Sequence, residues 1–144
     1  MFYIIAALVF SFLPYLFWKK INLPYILYLI FIFGTLVLGE AFLLYEKIPI
    51  WDSVTHFFGG FVISLFSFKI LGNKVTGIYK YIFCMTITLS LGTIWEMFEF
   101  LSDSLFGSNA MRTLDKIELD AIKDTIKDLF LDLLGSTIIL CKKK

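Results

Sequence analysis

Residues 51–71 read WDSVTHFFGGFVISLFSFKIL, and this stretch decides the fold. A helix of this length, rising about 1.5 Å per residue, crosses a hydrocarbon core of about 30 Å. Its polar groups are not scattered. Asp52 and His56 stand four residues apart near one end, on one helical face. Gly59 and Gly60 follow, and small residues let a neighbouring helix approach closely. Ionisable groups in such a helix rarely face lipid, so this face is expected to point into a bundle.

Working outward, similar apolar runs lie on both sides. Spans are expected at about 2–18, 23–45, 51–71, 78–101 and 119–141. The chain of 144 residues is 59% apolar and 17% charged, against roughly 45–50% and about 25% in a soluble domain. Pro14 is expected to kink the first span, which Lys19 and Lys20 end. Pro24 falls in the first turn of the second, where a missing N–H costs little. The loops EKIPI (46–50) and GNKVTG (72–77) are short, and residues 102–118 form the only long connection. In the fifth segment the first half is amphipathic and the second apolar. Residues 133–141 alone are too short to span, so this helix must carry polar groups into the membrane. The fold class is all-α: one membrane domain over residues 1–144, a bundle of about five transmembrane helices. The first run lacks a basic leader and a small-residue cleavage site, so it reads as a retained helix. Cys84 and Cys141 should lie at different depths, and no disulfide is expected.

Basic residues set the orientation. Lys19, Lys20, Lys69, Lys74, Lys80, Lys142, Lys143 and Lys144 fall on one side; Lys47, Arg112, Lys116, Lys123 and Lys127 fall on the other. The positive-inside rule makes the first side cytoplasmic, with the N-terminus outside and the C-terminus inside. Trp18, Tyr79 and Tyr81 suit the inner aromatic belt, and Tyr45 and Trp51 the outer one. All 12 acidic residues then belong to the outer half or the outer loops. Carboxylates barely influence insertion, so this asymmetry points to function. The net charge of +1 predicts no nucleic-acid partner. Membrane lipids are the expected surroundings.

Measured along each helix, Glu40, Asp52, His56, Glu96, Glu99, Asp128 and Asp132 lie roughly 15–28 Å above the inner boundary. Four helices thus bring ionisable groups to similar depth. Glu96, Glu99 and Asp103 share a face of the fourth helix; Asp124, Asp128, Asp132 and Gly135 form a stripe on the fifth. So many carboxylates in a low-dielectric site must hold protons or be neutralised by a cation. One imidazole with several carboxylates suits a divalent ion such as Zn²⁺, Mn²⁺ or Mg²⁺. His56, Glu99, Asp128 and Asp132 are the candidate ligands. Asp52 and Glu96 are the candidate catalytic groups, one of them a general base, and Glu40 and Asp124 are further polar members of the site. The same set without metal could relay protons, bind a cationic ligand, or only hold helices together. Asp103 reads as a helix end emerging into water. Asp115, Glu118 and Asp120 read as an exposed amphipathic segment partnered by Lys116 and Lys123.

WDSVTHFFGGF (51–61), IWEMFEF (94–100) and DTIKDLFLDLLGS (124–136), in this order, resemble the YjdF-type family of bacterial inner-membrane proteins. More remotely they are similar to the VanZ-like family, named for a teicoplanin-resistance protein. The resemblance covers roughly residues 40–136 and matches Asp52, His56, Glu96, Glu99, Asp124, Asp128, Asp132 and Gly135 to the family's polar positions. It implies a bacterial plasma membrane and leaves the reaction open. The VanZ-like pattern has glutamine at Glu99 and asparagine at Asp132, so this chain is the more acidic, which favours a cation. The leading expectation is an outward-facing metal site that binds or acts on a lipid-linked envelope substrate, by phosphoester hydrolysis or group transfer. Proton- or cation-coupled transport ranks lower, because the inner helix halves offer only Ser64, Ser67, Thr86, Thr88 and Ser90.

Overall fold

The computed structural model describes residues 2–112 and 118–142. Asp115, Lys116, Lys143 and Lys144, with the side chains of Trp18, Glu118, Cys141 and Lys142, lie outside the described residues.

The chain is helical throughout. Helix α1 (Phe2–Ser11) and α2 (Leu13–Trp18) divide the first apolar run. The break has a covalent cause. Pro14 has no N–H to give to the carbonyl four residues back, at Phe10. The Tyr28 hydroxyl donates to that carbonyl instead, at 3.0 Å, and the Tyr25 hydroxyl donates to the Ser11 carbonyl at 2.8 Å. A membrane helix tolerates proline when neighbours supply such donors.

Helix α3 (Leu23–Ile32) starts at Asn22, whose side chain accepts from the Tyr25 N–H at 3.2 Å. This is the usual way to satisfy a donor of the first turn. The helix then loosens into a π-helical segment, Phe33–Ala41, which closes with the Phe42 N–H on the Val37 carbonyl at 3.0 Å. The Trp51 indole N–H donates to the Gly34 carbonyl in this segment at 3.2 Å. The second span therefore ends at Ala41 rather than at Tyr45. Leu43 turns the chain with a left-handed φ of 60°, and α4 (Leu44–Lys47) is a single turn.

Helix α5 (Trp51–Leu71) has the expected bounds, and α6 (Gly77–Phe106) runs past its expected end at Leu101. Helix α7 (Glu118–Ser136) continues as a 3₁₀ turn, Thr137–Lys142. Three helices are long and apolar enough to cross a membrane: Leu23–Ala41, Trp51–Leu71 and Gly77–Phe106. The stretch Tyr3–Leu16 is apolar but shorter.

Helix α5 is the hub, packed against α3, α6 and most extensively α7. Two glycines explain how α7 comes so close. A Cβ at Gly60 would lie 2.6 Å from the Asp132 carbonyl carbon, and one at Gly135 would lie 2.9 Å from that of Phe57. The two backbones are in direct contact, and the Ser64 hydroxyl donates across them to the Ser136 carbonyl at 3.2 Å. At the far end Leu65, Cys84 and Ile139 form a small apolar core, with Phe61, Phe68 and Tyr81 packed against it. Cys84 is a buried free thiol.

The distribution of polarity is inverted. Among the described residues, eight fully buried side chains are polar or charged and six are apolar, while Leu8, Leu16, Ile94, Phe98 and Phe106 are exposed. A chain that turns its large apolar residues outward is suited to an apolar medium.

Candidate metal centre

His56 is the centre of the buried polar cluster. It sits in the second turn of α5 with carboxylates facing both ring nitrogens. Nε2 lies 3.9 Å from Asp52 Oδ1 and 3.7 Å from Glu96 Oε1; Nδ1 lies 3.5 Å from Asp132 Oδ1. Asp52 comes from the same helix one turn earlier, Glu96 from α6 and Asp132 from α7. Asp128, one turn before Asp132, joins them. One ligand atom from each of Asp52, His56 and Asp128 lies within 4.8 Å of the other two.

Two acceptors in this cluster have no hydrogen-bond donor, Glu96 Oε1 and Asp128 Oδ1. Their residues are only 7% and 5% exposed. A buried carboxylate oxygen without a donor is costly unless a proton or a cation reaches it. Lys127 Nζ lies 3.4 Å from Asp128 Oδ1 but makes its closer contact, 2.5 Å, with Asp124. The other oxygen of Glu96 accepts from the Thr125 hydroxyl of α7 at 2.9 Å.

At the mouth stands Arg112, from the loop after α6. Its Nη2 donates to Glu40 Oε1 at 2.9 Å, its Nη1 lies 3.7 Å from Asp52 Oδ1, and its guanidinium stacks 3.9 Å from the Tyr45 ring centroid. Burial pushes the Tyr45 phenol up to about 12, so the ring stays neutral beneath the guanidinium. Asp103 holds this loop in place: its carboxylate accepts from the Ser108 hydroxyl at 2.5 Å and from the N–H groups of Ala110 and Met111 at 2.6 and 3.0 Å. Asp52, Glu96, Glu99, Asp124, Asp128 and Arg112 line one pocket, which also has walls from Met111, Ala121 and Thr125.

Of the residues expected as ligands from the sequence, His56 and Asp128 meet, with Asp52 as the third member. Asp132 faces the other ring nitrogen of His56. Glu99 lines the pocket but is turned aside, accepting from the Trp95 indole N–H at 2.8 Å. Glu96 is within the cluster, Glu40 is tied to it through Arg112, and Asp124 stands at its edge with Lys127. The exposed Asp120 pairs with Lys123 at 3.0 Å. Sequence reasoning passed over three participants. Arg112 was counted only as a loop charge, Thr125 gave no signal, and Gly92 leaves the space that the Asp132 carboxylate occupies. The i+4 spacing of Ala121 and Thr125, and of Thr125 and Leu129, on the face beside the acidic stripe was the available hint for Thr125.

The helices and the cluster define a helical protein of apolar exterior with ionisable groups buried in its bundle. The chain belongs to a family described as predicted membrane protein (DUF2238), and the match runs over residues 1–142. An uncharacterised protein of Thermotoga maritima is 36% identical over 106 residues, which are 69% of this chain and 50% of that relative. This chain thus spans about half the length of the relative it matches. No solved structure matches it.

Proposed function

We propose that this is a multi-pass protein of a bacterial plasma membrane whose buried cluster binds one divalent cation and, so loaded, binds or acts on a lipid-linked envelope substrate. Five helices, with the N-terminus outside and the C-terminus inside, would open the cluster to the outer face. The reading is carried by one observation: ligand atoms of Asp52, His56 and Asp128 converge within 4.8 Å, beside two buried carboxylate oxygens that have no donor. Asp132 at Nδ1 supports it further. A metal-binding imidazole commonly gives its other N–H to a carboxylate, which fixes the ring with its free nitrogen toward the ion. The ligand set therefore narrows to Asp52, His56 and Asp128, and Asp132 orients the ring. Glu96, 3.7 Å from Nε2, is placed to take a proton. A cation here supplies charge to polarise a phosphoryl oxygen and to activate water, which favours phosphoester hydrolysis or group transfer. The more acidic character relative to the VanZ-like pattern agrees with a cation.

The test is elemental analysis of protein purified without chelator. About one divalent ion per chain, lost in both His56→Ala and Asp128→Asn, is the expected result. A folded wild type without metal refutes the proposal.

A second reading has one observation in its favour. Carboxylates on both sides of His56 also suit an imidazolium, in a proton-binding site without metal. The helix halves beyond the cluster argue against a continuous pathway. There Ser64, Ser67 and Thr88 spend their hydroxyl protons on the carbonyls of Ser136, Ile63 and Cys84. Proton flux in proteoliposomes, abolished by Glu96→Gln, would favour this reading.

A further inference from the structure

The end of the bundle opposite the acidic cluster holds a second cavity, of about 370 Å³, between the start of α3, the end of α5 and the start of α6. That volume falls in the range of about 300–1,000 Å³ typical of small-molecule sites. Its walls divide by chemistry. Leu23, Pro24, Leu65 and Phe68 make an apolar side; Lys69, Lys80 and Asn73 make a polar rim. We infer that this cavity binds an anionic phospholipid, with the phosphate at the lysines and an acyl chain along the apolar wall.

Three features support the assignment. Charge comes first. The chain has no acidic residue before Glu40 and none between Asp52 and Glu96. Every helix end around this cavity therefore carries lysine without a carboxylate to neutralise it, with Lys19, Lys20 and Lys74 nearby in sequence.

The second feature is the posture of Lys80. Its ammonium does not extend into open solvent. It donates to the Gly72 carbonyl at 2.6 Å and stands 3.8 Å above the Phe68 ring centroid. These contacts fix the charge at the cavity wall and use one of three ammonium donors, leaving others for an anion. A lysine fixed in advance loses less side-chain freedom when the anion binds.

The third feature is the joining of the two surfaces. Lysines that only set topology need no cavity, and an apolar groove for a hydrocarbon alone needs no lysine. A phosphate ester carrying an acyl chain satisfies both. Basic pockets between membrane helices are known to take such headgroups. The site shares no residue with the acidic cluster, so it stands whether or not that cluster binds metal.

The test is lipid retention measured by native mass spectrometry and titration in mild detergent, with phosphatidylglycerol and phosphatidylcholine as probes. Wild type should retain phosphatidylglycerol in preference. Each near-surface lysine is worth about fivefold in affinity, so Lys69→Gln and Lys80→Gln should each weaken binding about fivefold and the pair roughly 25-fold. Asn73→Asp, at an exposed position that folding tolerates, should also weaken it by placing an anion at the rim. Lys74→Gln, outside the cavity, should leave it unchanged. A Lys74→Gln loss as large as that of Lys80→Gln would mean a diffuse surface charge and overturn the site. Equal retention of the two lipids, or displacement by glycerol phosphate as effective as by the full lipid, would overturn it too.

Discussion

Replacing Gly60 by alanine should damage both the bundle and the cluster, because the added methyl has nowhere to go. It would lie 2.6 Å from the carbonyl carbon of Asp132 and 2.7 Å from its Cα, both backbone atoms of α7. Ordinary contact begins at 3.4 Å, so α7 must retreat by the difference, about 0.8 Å. No side chain can swing aside to spare it. Overpacking of this kind costs about 1–3 kcal/mol. The retreat also carries Asp132 away from His56 Nδ1, already 3.5 Å distant, and Asp128 away from Asp52. Loss of the carboxylate that orients a metal-binding imidazole costs about 10–100-fold in metal affinity. Thermal unfolding in detergent and divalent-ion titration read the two effects separately. Gly34→Ala is the control, since a Cβ there meets nothing within 4 Å. If Gly60→Ala unfolds like wild type and titrates like wild type, the backbone contact between α5 and α7 does not govern the site, and the reasoning fails.

Other predictions rest on separate contacts. Thr125→Val should leave Glu96 Oε2 without its donor and cost about 1–3 kcal/mol in denaturant unfolding, the usual penalty for an orphaned buried acceptor; Thr125→Ser should restore most of it. Arg112→Lys should not substitute for Arg112, because an ammonium cannot stack on Tyr45 while reaching both Glu40 and Asp52; a double-mutant cycle with Glu40→Gln should give a coupling of about 1 kcal/mol, modest because the pair is partly exposed. Tyr28→Phe should uncover the Phe10 carbonyl at the Pro14 break and cost about 1 kcal/mol, read as a lower unfolding midpoint.

The helices were legible where hydropathy and length suffice. Trp51–Leu71 has the expected ends because a lone apolar run between turn-forming loops leaves few alternatives. The Pro14 break was legible from covalent chemistry. The π-helical segment was not, since its register depends on Trp51 reaching Gly34 from the next helix. The fifth span illustrates a different limit. Its acidic stripe was visible, but those same acids keep Glu118–Ser136 off any list of apolar helices, so sequence alone places it only through its partners. Within the cluster, residues sharing a helix face could be paired from spacing, as Asp52 and His56 were. Glu99 could not be placed, because a local bond to Trp95 competes with the shared site. The tie from Arg112 to Glu40 spans 72 residues, and no local pattern announces it.

The acidic stripe of α7 also bears on how the protein is made. Each aspartate at the centre of an inserting helix costs about 2.5–3.5 kcal/mol, and α7 carries Asp124, Asp128 and Asp132. Such a segment is a poor solitary client for the insertion machinery. Helices α5 and α6 leave the ribosome earlier and already present His56, Thr55 and the small-residue track of Gly59 and Gly60. Biogenesis thus depends on order: α7 enters by docking onto a finished half-bundle, and a chain stalled before α5 and α6 pair would strand its last helix in water, where quality-control proteases act.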